Sequence, residues 1–123
     1  MILKEYISKN HSKFLIKYHI ILVCKYRKQL LVGAVEYDMK KIMRHISEIS
    51  DFDIEVMETD KDHIHLLIGY DATDMVCDIV KLLKQEITYY LWQKYPDYLS
   101  RQYWKRKVFW SDGYFVCSIG EVS

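Results

Sequence analysis

The sequence predicts an α+β fold of the ferredoxin-like type, β-α-β-β-α-β, an antiparallel sheet with two helices packed on one face. Three observations carry this. A run rich in β-branched and aromatic residues opens the chain at 12–27. Two segments with helix-period apolar residues follow, at 32–50 and about 74–95. Between them lie two strand-like runs, 52–59 and 62–70, separated by a tight turn.

Each element has its own signal. "SKFLIKYHIILVCKYR" (12–27) suits a first strand. In "VGAVEYDMKKIMRHISEIS" (32–50), Val35, Met39, Ile42, Met43, Ile46 and Ile49 share one helical face. "FDIEVMET" alternates, and "DHIHLLIGY" continues the hairpin after an Asp60-Lys61 turn. In the second helix Val76, Ile79, Val80, Leu83, Ile87, Tyr90 and Leu91 keep helical spacing. Thr73 or Asp71 is placed to cap its start, and Pro96 to stop its end. "YLSRQYWKRK" (98–107) reads as a basic loop, followed by short strands around Ser111-Asp112-Gly113.

The 123 residues suffice for one domain, taken as 1–123, with no linker, repeat or low-complexity tract. No apolar stretch has membrane-spanning length, and "MILKEYISKNHSK" lacks a signal peptide's apolar segment, so a cytoplasmic location is expected. Cys24, Cys77 and Cys117 are odd in number and far apart, which suits reduced thiols better than a disulfide framework or a CxxC metal site.

Charge is uneven although the net value is only +1. Residues 1–30 carry seven Lys/Arg against one acid, 31–98 seven against fourteen, and 99–123 four against two. Basic ends interleaved with aromatics suit a surface that tracks phosphates and stacks on bases; solvated charge explains the same pattern without a partner. The candidate nucleic-acid contacts are Lys25, Arg27 and Lys28 at the end of the first strand, and Arg101, Tyr103, Trp104, Lys105, Arg106 and Lys107.

His63 and His65 are one residue apart, so on a strand they share a face while Ile64, Leu66 and Ile68 take the other. Two such imidazoles suit one divalent metal; a solvated sheet face accommodates them equally. A third histidine, as some nucleotide hydrolases use, is absent, because position 67 is leucine; an HxHxDH zinc motif fails too. With an Asp60-Lys61 turn, Glu58 falls opposite His63, where it would orient an imidazole, touch a metal or remain a solvated carboxylate.

At "KYHIILVCKYRK" (17–28), "VGAVE" (32–36), "TDKDHIHLLI" (59–68) and "FWSDGYFVCSIGEVS" (109–123) the chain closely resembles the single-tyrosine HUH transposases of the IS200/IS605 insertion-sequence class. The similarity runs along essentially the whole chain. It implies a DNA transposase acting on single-stranded DNA with hairpin ends, with His63 and His65 holding Mg or Mn at the scissile phosphate. It also implies a tyrosine that attacks to leave a 5′-phosphotyrosine and a free 3′-OH, and a homodimer in which one subunit's tyrosine helix completes the other's site.

In the family the nucleophile lies on a helix after the "SIGEVS"-like segment, with a polar side chain, often Gln, as a third ligand. Here that segment ends at Ser123. Tyr114, the nearest tyrosine, sits in a strand-like run and does not match the motif position, so no catalytic tyrosine is assigned. The nucleophile is expected beyond Ser123, and the 123-residue polypeptide alone is expected not to nick DNA. The ending reads either as a boundary within a longer transposase or as a shortened gene. The rival functions are a shortened, catalytically inactive DNA-binding remnant or regulator of the intact transposase, and a ferredoxin-like RNA-binding or metal-sensing module.

Overall fold

Alternation along the first strand sets the two sides of the molecule. In a computed structural model describing residues 16–70, 76–104 and 106–119, β1 (Ile16–Val23) turns Ile20 and Leu22 into a core where both are fully buried. His19, Ile21 and Val23 occupy the other face. A 3-10 turn (Lys25–Arg27) leads to α1 (Gly33–Glu48), the hairpin β2 (Phe52–Asp60) and β3 (His63–Tyr70), and α2 (Val76–Lys94). A third helix, α3 (Pro96–Tyr103), precedes the last strand, β4 (Phe115–Ile119).

The strands stand in the order β2-β3-β1-β4, and all neighbours are antiparallel. That is the predicted ferredoxin-like sheet, with one helix more than predicted. Ile64, Leu66 and Ile68 of β3 are fully buried with Ile20 and Leu22. Against them pack Val35, Met39, Met43 and Ile46 of α1 and Ile79, Leu83, Ile87 and Leu91 of α2. The opposite sheet face carries His19, His63 and His65, and no helix covers it among the described residues.

Several local expectations change. The first strand ends at Val23, not 27, because Tyr26 (φ 62°) and Arg27 (φ 54°) adopt left-handed backbone that no strand permits. Ile49 has left the helical face and is 70% exposed at the C-cap. The hairpin loop is Lys61-Asp62, since Asp60 pairs with His63. Glu58 therefore lies opposite His65 and not His63. Pro96 ends α2 as expected, but it also begins α3 at a position where its missing N–H costs nothing. Residues 98–103 are thus helical. The start of the first strand at 12–15, the Thr73 and Asp71 caps, and Ser123 lie outside the described residues.

One end of the sheet is tied from three directions. The Cys24 amide donates to Asp62 O (2.9 Å), the Lys25 amide to Phe109 O (2.8 Å) and the Leu31 amide to Lys61 O (2.9 Å). The chain leaving β1, the β2–β3 loop and the segment before β4 therefore meet there.

Cys24 is buried at this junction, and burial pushes its thiol up to about 12. At pH 8 roughly one part in ten thousand is then thiolate, the reactive form. Iodoacetamide at pH 8 should label exposed Cys77 and Cys117 and spare Cys24 until the protein is unfolded. Peptide mapping checks this, and labelling of all three at one rate would contradict the buried assignment.

Candidate metal and nucleic-acid site

The open sheet face presents a linked set of polar side chains. β3 places His63 and His65 side by side on it, each one-third exposed. Behind His63 stands Asp62, whose position in the two-residue loop aims its carboxylate back at the ring: His63 Nδ1 lies 2.8 Å from Asp62 Oδ1. The Arg27 Nε donates to the other oxygen at 3.2 Å. The His63 hydrogen bond, with Arg27 beyond it, holds the Asp62 carboxyl below the usual carboxylate range. An ionised Asp62 accepts the Nδ1 proton and leaves the His63 Nε2 lone pair free, the arrangement that orients metal-binding imidazoles.

His65 has different neighbours. Its Nδ1 is 3.9 Å from Glu58 Oε1 across the hairpin. Its Nε2 is 2.7 Å from His19 Nδ1, contributed by β1. Neither Asp62 nor His19 was singled out from sequence. Asp62 reads as an ordinary turn residue, and His19 lies 46 positions from His65.

The donor set suits a divalent ion, with one nitrogen of each imidazole held by protein and the other available. It is a pair and not a full shell: among the described residues no group of three or more His, Cys, Asp or Glu is gathered around one point.

The two predicted basic clusters are partly brought together. Lys28 Nζ lies 5.9 Å from the centre of the Trp104 ring, and the Tyr26 and Trp104 rings are 6.4 Å apart, edge to face. Tyr26 is 58% exposed and Trp104 67%, so large aromatic surfaces face solvent beside cations. Left-handed backbone at Tyr26, Arg27 and Trp104 (φ 57°) presents these residues outward, and such conformations cost about 1–3 kcal/mol where the structure holds them. Arg27 joins this platform to Asp62 and so to His63. Tyr26 had no place among the predicted contacts.

The remaining predicted contacts are scattered. Tyr103 is fully buried, so it is not a stacking residue; its hydroxyl donates to Lys25 O (3.0 Å) and Phe109 O (3.2 Å). Lys25 is mostly covered and lies 3.8 Å from Asp112 Oδ1. Arg101 and Arg106 are exposed. Lys107 lines a separate cavity of about 560 Å³ with Lys81, Lys84, Tyr89 and Trp92. Lys105 lies outside the described residues. Tyr114 packs against the core, with Lys84 Nζ 6.0 Å from its ring centre.

Comparison with known proteins identifies the family and the fold. The family model described as "Transposase IS200 like" matches residues 12–123. The ISDra2 transposase TnpA of Deinococcus radiodurans is 32% identical over 106 residues, covering 86% of this chain and 74% of that protein. The transposase for insertion sequence element IS200 of Salmonella typhimurium is 31% identical over 114 residues, covering 93% and 74%. Among solved structures, a transposase from Deinococcus radiodurans R1 superposes with TM-score 0.78 at 30% identity, over 88% of this chain and 82% of that one. A REP-associated tyrosine transposase bound to a REP hairpin superposes with TM-score 0.62 over 85% and 56%; at 15% identity the likeness is one of fold.

Proposed function

This chain belongs to the IS200-like transposase family, and we propose that its open sheet face binds single-stranded DNA with hairpin ends and holds a divalent metal for cleavage and strand transfer. The observation that carries this is the Arg27–Asp62–His63 link, which joins the aromatic and basic platform to the histidine pair. His63 and His65 would hold Mg or Mn. A bound ion of this kind supplies Lewis acidity at the scissile phosphate. Asp62 keeps the His63 proton on Nδ1, and Arg27 Nε donates to the other Asp62 oxygen. Tyr26 and Trp104 offer faces for unpaired bases, and Lys28 offers charge for phosphates.

We assign the nucleophile to no described tyrosine; of the two nearest the last strand in sequence, Tyr103 is buried and Tyr114 packs on the core. A tyrosyl ester conserves the phosphodiester energy, so the strand can be rejoined without ATP. We also place a homodimer contact on β4. Among the described residues it is an edge strand with Phe115 69% exposed, the kind of edge that pairs with a second strand. Among the described residues no helix is long and apolar enough to cross a membrane.

The experiment is hairpin binding. Trp104→Ala and Tyr26→Ala should each weaken binding of a fluorescent single-stranded DNA hairpin by roughly 5- to 150-fold, the range for losing about 1–3 kcal/mol of base stacking. Fluorescence anisotropy at fixed salt reads the change. Wild-type affinity in both variants, or tighter binding of an RNA hairpin by the unaltered protein, would remove the proposed interface.

A further inference from the structure

We propose that His19 positions His65 for metal binding, so that His65 offers the ion Nδ1 and not Nε2. This rests on His63 and His65 being a metal pair, and it adds a residue to that site.

The geometry of the His19–His65 contact is informative. The nitrogens are 2.7 Å apart, while the ring centroids are 4.8 Å apart and the planes 25° from parallel. Atoms so much closer than the ring centres mean that the rings meet at their edges, nitrogen to nitrogen. One proton lies between them, and the His65 Nε2 is occupied by it. β1 makes this possible: Ile21 is directly opposite His65, and His19, two residues away, sits diagonally on the same face.

A metal-binding imidazole generally passes its other N–H to a fixed partner. For His63 that partner is Asp62 on Nδ1, which leaves Nε2. For His65 the partner is His19 on Nε2, which leaves Nδ1. The two histidines therefore offer different nitrogens.

Glu58 supports the choice. If His19 donated the shared proton, His65 would carry its own proton on Nδ1 and have no lone pair left for an ion. If His65 donates, its Nδ1 lone pair stands 3.9 Å from the Glu58 carboxylate. Two electron-rich groups so placed are unfavourable alone and favourable with a cation bound. Metal binding thus selects the tautomer in which His65 Nε2–H donates to His19.

The test uses the whole chain and two readouts. In Zn²⁺-loaded wild-type protein, ¹⁵N NMR of the imidazoles should show the metal-induced shift of His65 at Nδ1, with Nε2 still protonated. By Mn²⁺ EPR titration, His19→Ala should bind 10- to 100-fold more weakly, and His19→Gln, whose amide oxygen can accept the same bond, should recover most of the loss. A metal shift at His65 Nε2, or a His19→Ala affinity unchanged or raised, overturns the proposal; the NMR arm needs no substitution and does not depend on variant folding. His63→Ala separates the two levels. If it binds Mn²⁺ like wild type, the metal pair itself fails. If it loses Mn²⁺ while His19→Ala does not, only the role of His19 fails.

Discussion

Replacing His63 with alanine should reduce Mn²⁺ binding by more than about 100-fold while leaving the fold intact. The size follows from what is removed. Losing an outer partner of a metal-binding imidazole already costs about 10–100-fold, and a ligand contributes more than the partner behind it. The remaining groups, His65 and Glu58, offer one nitrogen and a carboxylate that is largely in solvent. The fold should not notice, because His63 is one-third exposed on the uncovered face and its core neighbours Ile64 and Leu66 point the other way. Substitutions away from cores and caps usually stay within about 0.5 kcal/mol. Isothermal titration with Mn²⁺ and a urea melt on the same sample check both halves. A His63→Ala protein that binds Mn²⁺ normally would remove the histidine pair from the mechanism, and one that unfolds would make His63 a structural residue.

The periodic parts of this chain were legible because periodicity reports burial. "HIHLLI" alternates, and its isoleucines and Leu66 are indeed the buried set. Val35, Met39, Met43 and Ile46 did the same for α1. What failed was register, which periodicity constrains weakly at a turn. Asp60 and Asp62 are both good turn residues, and sequence offered no way to choose. The one-residue difference moved Glu58 from His63 to His65 and turned Asp62 into the partner of His63.

Long-range pairing was equally invisible. His19 reaches His65 only because β1 lies next to β3, a fact of topology. The segment 98–107 shows a third kind of failure. Its charge drew attention to a surface role, while Leu99 and Tyr103, four apart on one face of α3, are both fully buried. The spacing was present in the sequence, but eight helical residues are too few to stand out from a basic run.

Tyr103→Ala should accordingly act on stability first, by about 3–5 kcal/mol, the usual cost of deleting a buried aromatic side chain. The ring is fully buried beside Phe109 (centroids 6.5 Å) and under Tyr26 (6.2 Å). Its hydroxyl spans the chain after β1 and the segment before β4 through Lys25 O and Phe109 O. Burial also pushes the hydroxyl's pKa up, so it stays protonated and is a poor nucleophile at neutral pH. Tyr103→Phe isolates the hydroxyl. It should cost only about 1 kcal/mol, because Phe109 O still accepts from the Lys25 amide at 2.8 Å. Urea melts give both values. Hairpin affinity measured at a temperature where each variant is folded should fall with Tyr103→Ala, because Tyr26 then loses the ring beneath it, and should hold with Tyr103→Phe. A Tyr103→Ala protein of wild-type stability that still lost DNA would mean the side chain reaches the DNA itself. The expected pattern instead gives Tyr103 the task of holding Tyr26 and Trp104 in place.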